Sequence, residues 1–373
     1  MKILIAPNSM KGSLSAFDFA DIVEKAFFNC SNEFSIQKVP VADGGDFTGE
    51  LLKRIFQAKE VCLNVKGPLG DEVNSRYFVS ERKAVIEMAD ASGMKLVDSK
   101  QLNPLKASSY GTGQLMADAI LKGCNQIFMA IGGSATVDGG AGMLEAMGFR
   151  VFDENGKILT GNGGNLIAIR KIQTPEIPKN ISIKIICDVD NPLLGKNGAA
   201  QVFGPQKGAT HEMLPQLEAG LKNWSEILEK ISGKKLANVS GAGAAGGIAI
   251  PLLAFYNGEI VPGADFILEQ LGFEEQIKWA DIVITGEGKI DSQTLNNKAP
   301  AAVANAARRF NKQVVAFGGS VQDATEVFDG IFSIVNEAMS LEDAMKNSKK
   351  LLFDFSLQFA RLLKKLCINH EKQ

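Results

Sequence analysis

Short apolar runs that end in turns, each followed by a helical pattern, recur at both ends of the chain. The clearest runs are Ile3–Ala6, Ile36–Val39, Ile282–Thr285, Val314–Gly318 and Ile331–Val335. The segments predicted to follow them are helices at Ala16–Phe28, Thr48–Phe56 and Ala299–Phe310, an acidic turn near Asp323–Phe328, and a long helix at Leu341–Leu366. Buried strands alternating with amphipathic helices are typical of a doubly wound parallel sheet. The two ends of the chain are therefore predicted to form one α/β domain.

The middle of the chain has its own pattern of strands and helices. Predicted strands are Val61–Val65, Arg76–Ser80 and Lys83–Glu87, which read as antiparallel, together with Ile127–Ile131 and Ile183–Cys187. Predicted helices are Gly113–Leu121, Gly142–Met147 and Met213–Ile231. We therefore predict that residues 1–60 and 282–373 form a discontinuous α/β domain. Residues 62–281 are predicted to form a mixed α/β domain inserted into it.

Composition and charge narrow the classes of partner. The 373 residues are 45% hydrophobic, and the formal net charge is −2 with the basic residues scattered. This balance argues against a nucleic-acid partner and against a membrane surface. No apolar run reaches the length of a membrane span, about 18 residues, and the first strand lacks the pattern of a signal peptide. A cytoplasmic location is expected, and a homo-oligomer is left open.

Histidine and cysteine offer little for catalysis or metal binding. The chain has two histidines and five cysteines, and the cysteines lack paired metal-ligand spacing. Acid–base chemistry and metal binding are therefore expected to rest on carboxylates, lysines and hydroxyls. Such oxygen-rich groups favour magnesium over zinc.

Glycine-rich runs are the main functional signal. Six of them occur, at residues 42–46, 132–142, 204–209, 241–247, 285–291 and 318–320, most with acidic, lysine or hydroxyl side chains. Glycine permits left-handed turns and close backbone approach, and free N–H groups at such turns bind anions. Several of the runs directly follow predicted strands, where open α/β sheets bind ligands. This arrangement indicates an enzyme that handles phosphate, although capped turns are the alternative for each run.

Two familiar classes of nucleotide-binding protein are disfavoured. The run Gly241–Gly247 contains Gly-x-Gly-x-x-Gly, and Asp265 follows it, which imitates a dinucleotide fingerprint. The polar residues 232–240 provide no buried strand before it, so a nicotinamide-dependent dehydrogenase is the weaker alternative. A glycine-rich turn that binds phosphate or packs closely fits better. No Walker P-loop and no protein-kinase signature set occurs.

Taken in order, the motifs resemble the type I glycerate kinases, the bacterial glycerate 2-kinase family. The matching segments are 5–7, 11–16, 42–45, 67–70, 86–89, 110–113, 132–142, 187–193, 203–209, 241–247 and 285–291. The resemblance implies a flavodoxin-like domain with a second α/β domain. It also implies ATP- and Mg²⁺-dependent phosphorylation of D-glycerate to 2-phosphoglycerate, in glycerate, glyoxylate or sugar-acid catabolism. A catalytically weak or regulatory ligand-binding paralogue is the alternative.

The chain departs from the family pattern at several loop positions. Asn8 stands for Asp, Asp46-Phe47 for Glu-Gly, Gln114 for Glu, Val137 for Asn, and Asp190 for Thr. Phe47 and Val137 remove flexible or polar character beside two candidate loops. These departures bear on substrate preference and turnover, and on the paralogue alternative.

The candidate site residues fall into three groups. The catalytic candidates are Asp43, Asp188, Asp291 and Lys11, with the choice of base left open among the three carboxylates. The candidates for binding substrate or phosphate are Ser9, Ser13, Gly44, Gly45, Gly133, Ser134, Thr136, Asp138, Lys207, Gly243, Gly286 and Lys289. Among these, Lys11, Ser13 and Lys289 are expected to hold the glycerate carboxylate. Glu287 and Asp291 are the candidate Mg²⁺ ligands.

Overall fold

The computed structural model describes residues 1–45, 47–291, 298–322 and 326–370. The strands in this part of the chain are β1 Lys2–Ile5, β2 Ser35–Lys38, β3 Lys59–Lys66, β4 Glu72–Ser80, β5 Lys83–Glu87, β6 Gln126–Ala130, β7 Arg150–Phe152, β8 Ile158–Leu159, β9 Lys171–Gln173, β10 Ser182–Ile186, β11 Asn257–Val261, β12 Ile282–Ile290, β13 Gln313–Val321 and β14 Gly330–Ser333. The helices are α1 Ala16–Cys30, α2 Thr48–Ile55, α3 Ala89–Ser92, α4 Tyr110–Leu121, α5 Ala141–Ala146, α6 Met213–Ser232, α7 Ala249–Phe255, α8 Gly263–Gln270, α9 Phe273–Trp279, α10 Ala299–Arg309, α11 Leu341–Lys346 and α12 Ser348–His370.

The chain divides into two compact units, which we call the flanking unit and the central unit. The flanking unit comprises Met1–Phe47 and Gly263–Gln373, and the central unit comprises Thr48–Pro262. The domain boundaries predicted from sequence lay at 60/62 and 281/282. The structure groups α2 with the central unit, where it packs on β4 and β5, and groups α8 and α9 with the flanking unit, where they pack near α10. The predicted and the observed boundaries differ in position, but both describe a central unit inserted into the sequence of a flanking unit.

The flanking unit is built on a five-stranded parallel sheet. Its strand order is β14-β13-β12-β1-β2, with every pairing parallel. Numbered within this unit the order is 2-1-3-4-5, the flavodoxin-like arrangement, whose topological switch point lies between the first and third strands. Here those strands are β1 and β12, in the register Ile3 with Ile282. The predicted doubly wound, flavodoxin-like fold is confirmed.

Both faces of this sheet are covered by helices, which explains why its central strands are continuously apolar. Leu4 and Val283 belong to a core shared with α8, α9 and α10. Their neighbours Ile3, Ile5 and Ile284 belong to a second core shared with α1 and α12. Successive strand residues point to opposite faces, so a strand buried on both sides has no polar alternation.

The central unit has a mixed sheet of six strands in the order β11-β10-β6-β5-β4-β3. The strands β3, β4 and β5 pair antiparallel, as the sequence predicts, whereas β5, β6, β10 and β11 run parallel. A small antiparallel sheet, β8-β7-β9, accompanies it. One large core holds the helices on this sheet and includes the fully buried Trp224. The second, mixed α/β fold is likewise confirmed.

The predicted single C-terminal helix is wrong in one respect, because the structure has two helices. Ser340 caps α11, and its side chain accepts a hydrogen bond from the Asp343 amide. At Asn347 the side-chain amide donates to the Asp343 carbonyl, which ends α11. A side chain that bonds to the backbone of the preceding turn competes with helix continuation. The predicted acidic turn falls partly on residues 323–325, outside the described residues.

Candidate functional site

The loops that follow β1 and β2 are joined through Asp43. The Asn8 Nδ2 group donates to one oxygen of Asp43 at 3.1 Å, and the Gly45 amide donates to the other at 3.3 Å. The Ser9 amide in turn donates to Asn8 Oδ1 at 2.8 Å. An aspartate at position 8 would place a second carboxylate against Asp43, and the two negative charges would repel each other. The asparagine in this chain instead donates a hydrogen bond to Asp43. Gly44 adopts a φ of +87° between these groups.

A tight turn at residues 10–14, in the loop that follows β1, carries Lys11 and Ser13. The Met10 amide donates to the Leu14 carbonyl at 2.8 Å, and the Leu14 amide donates back to Met10 at 3.0 Å. Gly12 forms the tip with a φ of +75°. Lys11 is exposed and Ser13 is half-buried. Both side chains can therefore reach a ligand without unfolding the turn.

The far end of β12 carries alternating charges on one face. Glu287, Lys289 and Asp291 are two residues apart, so their side chains point to the same side of the strand. Lys289 Nζ lies 2.9 Å from Asp291 Oδ2, and Lys298 Nζ lies 3.9 Å from Glu287 Oε2. Both carboxylates are mostly buried, at 7% and 8% exposure. A Cβ at Gly286 would collide with the Phe317 carbonyl, so Gly286 is required for close strand packing.

The most unusual group in the central unit is the buried ammonium of Lys207. Its Nζ donates to the Ser134 hydroxyl and to the Thr136 carbonyl, both at 2.8 Å, and the residue is only 2% exposed. Burial lowers the pKa of Lys207 to about 7, although the nearby Asp138 opposes that shift. A fully buried ammonium is costly unless it is paired, and the Asp138 carboxylate is a negative charge close enough to act on it.

The loop that contacts Lys207 offers further polar groups. Ser134 and Thr136 are buried, and Thr136 Oγ1 has no hydrogen-bond partner within the described residues. Across the same described part of the chain, no acceptor is found for the amides of Gly132, Gly133 and Ser134. Gly133 has a φ of +71°. Successive amides in such a turn form a concave donor surface that binds anions.

Asp138 holds this loop in shape. Its Oδ2 accepts hydrogen bonds from the Ser109 amide and hydroxyl, both at 2.7 Å, and from the Gly142 amide at 3.3 Å. Its Oδ1 accepts from the Gly140 amide at 3.1 Å. Burial raises the pKa of Asp138, and the hydrogen bonds oppose that shift. Because the side chain is fully buried, its structural role is to fix the loop that carries Ser134 and Thr136.

The run Gly241–Gly247 is a packing element. A short 3₁₀ turn forms at Ala244–Gly247, and the element directly before it is the helix α6, not a strand. A Cβ at Gly246 would collide with the Thr136 carbonyl, and one at Gly243 would collide with the Pro192 carbonyl. These glycines therefore allow the run to lie directly against the backbone at Thr136 and at Pro192. The imitation of a dinucleotide fingerprint has this physical origin.

Asp188 follows β10 at the same sheet edge where the loop that carries Ser134 and Thr136 follows β6. The register aligns Ile186 of β10 with Ala130 of β6, so both loops leave neighbouring parallel strands. Asp188 is half-buried. Burial raises the pKa of the preceding Cys187 to about 11, which keeps that thiol protonated.

Sequence reasoning missed one titratable residue at this edge, Glu87. It ends β5, and the Gly49 amide donates to its Oε1 at 2.8 Å. Burial raises the pKa of Glu87 to about 7, with a further contribution from Asp90. Residues 86–89 are one of the segments that resemble the family, and a carboxylate at the end of an apolar strand is the signal that could have identified Glu87.

Phe47 occupies a backbone conformation that suits glycine. Its φ is +69°, and its side chain is 44% exposed. The left-handed region costs a residue with a Cβ about 1–2 kcal/mol, partly offset because glycine costs about 0.4–1 kcal/mol more in unfolded-chain entropy. Phe47→Gly is therefore expected to raise the free energy of unfolding by about 0.5–1 kcal/mol in urea titrations. Phe47→Ala is the control, and a glycine variant no more stable than the alanine variant would contradict this assignment of strain.

None of the helices in the described part of the chain is both long and apolar enough to span a membrane.

Comparison with known proteins gives a consistent result along the whole chain. A family model described as the glycerate kinase family matches residues 3–364. A glycerate kinase from Halalkalibacterium halodurans is 43% identical over 360 residues, which cover 94% of this chain and 95% of that protein. The glycerate 2-kinase of Escherichia coli is 40% identical over 358 residues, with 93% and 94% covered.

A solved structure agrees with this similarity. A crystal structure assigned as glycerate kinase 2 from Salmonella typhimurium superposes with a TM-score of 0.85 at 40% sequence identity. The match covers 98% of this chain and 98% of that one.

Proposed function

The chain belongs to the glycerate kinase family, and from this premise we propose that it transfers the γ-phosphoryl group of ATP to D-glycerate. The similar Escherichia coli protein is named a glycerate 2-kinase, so we propose the 2-hydroxyl as the acceptor and 2-phosphoglycerate as the product. The partners are then two small molecules, and the expected location is the cytoplasm.

The observation that carries this proposal is the buried Lys207. An ammonium group has three N–H donors, and two of them bind Ser134 and Thr136. The third is left for an incoming acceptor, and a phosphate oxygen is the acceptor that best repays the cost of burying the charge. The amides of Gly132, Gly133 and Ser134 lie on the same loop. Together these donors suit the charge that spreads over the phosphoryl oxygens during transfer.

The remaining polar groups of the central unit support this loop. Asp138 fixes its backbone through four hydrogen bonds, and Gly243 lets the neighbouring run approach closely. We propose that Thr136 contributes its buried hydroxyl to the bound phosphate. A phosphoryl-transfer enzyme acts mainly by positioning and charge neutralisation, so a rigid loop is the main catalytic requirement here.

The flanking unit supplies cations and amides suited to a small carboxylate. Lys11, Ser13 and Lys289 are the proposed ligands of the glycerate carboxylate. Ser9, Gly44, Gly45 and Gly286 are proposed to shape the loops around them. Lys11 and Lys289 are both exposed, so the side chain of each can move to a ligand at a small cost in desolvation.

Magnesium fits the carboxylates at the end of β12. Mg²⁺ in such enzymes is held by one or two carboxylates together with waters and substrate phosphates. The mostly buried Glu287 and Asp291 match that donor set. The described residues contain no cluster of three or more His, Cys, Asp or Glu side chains placed to hold an ion, which suits a metal that arrives with ATP. When bound, Mg²⁺ would neutralise charge on the β- and γ-phosphates.

The acceptor hydroxyl needs a group that takes its proton. Asp43, Asp188 and Asp291 are the candidates from sequence, and His211, which follows the run at 204–209, is exposed. In the transfer the hydroxyl oxygen bonds to the γ-phosphorus, the bond from that phosphorus to the β–γ bridging oxygen breaks, and the hydroxyl proton passes to a carboxylate. ADP and phosphoglycerate are the products.

The experiment that tests the proposal is glycerate-dependent release of ADP from ATP, with Mg²⁺ supplied and then removed by chelation. We expect release that requires both D-glycerate and the divalent ion. ADP release that is no higher with glycerate than without it, across several divalent ions, would overturn the proposal. A regulatory paralogue would instead show stabilisation without turnover, about 2.7 kcal/mol when a ligand is at 100 times its Kd.

A further inference from the structure

The glycine-rich run at residues 318–320 lies at the end of β13, beside the end of β12. In the parallel register of these strands, Glu287 pairs with Gly318, and Lys289 pairs with Ser320. Neighbouring strands are about 4.8 Å apart. Ser320 is therefore a direct neighbour of Lys289, one of the proposed ligands of the glycerate carboxylate, within the same unit and the same sheet.

Two glycines allow close packing of the chain around this pair. A Cβ added at Gly319 would lie 2.7 Å from the Gly288 carbonyl oxygen, closer than a real Cβ can approach. A Cβ added at Gly288 would lie 3.5 Å from the Lys11 amide nitrogen, so the turn that carries Lys11 packs directly on Gly288. The ends of β12 and β13 and the Lys11 turn therefore meet at one place in the flanking unit.

The side chains of Lys289 and Ser320 point to the same face of the sheet. The next pair along the two strands, Ile290 and Val321, packs into the core shared with α8, α9 and α10. Successive strand residues point to opposite faces, so Lys289 and Ser320 lie on the face covered by α1 and α12. The apolar residues of the Lys11 turn belong to the core on that same face.

The position in the sheet is one where ligands bind. In open α/β sheets the ligand lies outside the carboxyl ends of the strands at the topological switch point, which is between β1 and β12 in this unit. Lys11 follows β1, whereas Lys289 and Ser320 lie near the carboxyl ends of β12 and β13. All three residues are exposed, so a ligand can reach their side chains.

We propose that Ser320 is a substrate-binding residue, whose hydroxyl donates a hydrogen bond to one carboxylate oxygen of D-glycerate while Lys289 binds the other. This inference rests on the proposed function. A carboxylate accepts hydrogen bonds at both of its oxygens, and a bond to a charged acceptor is stronger than one between neutral groups. Ser320 thereby favours a substrate that carries a carboxylate over an uncharged polyol.

The test is the affinity of the full chain for D-glycerate, measured by titration calorimetry without ATP. Ser320→Ala is expected to raise the Kd by about 10–100-fold, the effect of losing a hydrogen bond to a charged group. The KM for glycerate should rise by a similar factor. Because the carboxylate is bound alike before and during phosphoryl transfer, kcat and the KM for ATP should change by less than about threefold.

A pair of variants of equal shape isolates the hydroxyl. Ser320→Thr keeps the hydroxyl, whereas Ser320→Val has the shape of threonine without it, and both side chains suit a strand. We expect the threonine variant to stay within a few fold of the wild-type Kd and the valine variant to match Ser320→Ala. Ser35→Ala, at an exposed serine that begins β2 in the same sheet, is the control and should leave every value unchanged.

Three results would contradict the role of Ser320. They are an unchanged Kd in Ser320→Ala, equal affinities in the threonine and valine variants, and a rise in the KM for ATP without a rise for glycerate. The last result would place a phosphate at Ser320 instead of the carboxylate. If the wild type neither binds D-glycerate nor releases ADP when it is present, the proposed function itself is refuted.

Discussion

Replacing Lys207 with methionine is expected to lower kcat/KM for ATP by about 10²–10³-fold, the effect of removing one preorganised donor to a transition-state oxygen. Methionine fills a similar volume but carries no charge and no donor. Initial rates of glycerate-dependent ADP release give the value. Lys196→Met, at an exposed lysine of the same unit, is the control and should be near wild type.

The pH dependence sharpens this prediction. Burial lowers the pKa of Lys207 to about 7, so the ammonium form is lost as the pH rises through about 7. The wild-type kcat/KM for ATP should therefore decline on the alkaline side, and the methionine variant should lack that decline. A methionine variant with near-normal kcat/KM, or one that keeps the alkaline limb, would show that Lys207 does not bind the phosphates.

The second large effect is on stability, where Asp138→Asn should lower the free energy of unfolding of the central unit by about 3 kcal/mol. The asparagine amide has one acceptor oxygen, whereas the carboxylate uses both. Whichever way the amide turns, its NH₂ group faces a buried N–H donor of the loop. A buried donor left without an acceptor costs about 1–3 kcal/mol.

Trp224 provides a local readout for this substitution. Its Nε1 group donates to the Gly139 carbonyl at 2.9 Å, within the loop that Asp138 holds. The chain has two tryptophans, so a Trp279→Phe background isolates the Trp224 fluorescence during urea unfolding. Asp71→Asn, at an exposed aspartate of the same unit, is the control. An unfolding midpoint for Asp138→Asn equal to that of the control would contradict the supporting role.

The fold could be predicted from the sequence because buried positions require apolar residues, and the spacing of those residues differs between strands and helices. Strands such as β1 and β12 are covered on both faces, so they read as continuous apolar runs bounded by turns. The break between α11 and α12 escaped prediction, since both segments keep a helical period. The break is marked by the hydrogen bond from the Asn347 side chain to the preceding turn and by the backbone at Asn347.

The candidate site was less accessible to sequence reasoning. Glycine-rich runs after strands identify candidate loops, but their sequence does not separate contact with a ligand from contact with backbone. The Gly241–Gly247 run is an example, because its glycines are explained by collisions that a Cβ would make with neighbouring carbonyls. The burial of Lys207 and the raised pKa of Glu87 depend on tertiary neighbours far apart in the chain. No local pattern encodes such proximity.

The most direct test of the account is to identify the product by ³¹P NMR after incubation of the protein with D-glycerate, ATP and Mg²⁺. We predict equal formation of ADP and 2-phosphoglycerate, with neither formed when glycerate is left out. ADP without phosphoglycerate, 3-phosphoglycerate as the initial product, or no reaction at all would contradict the account.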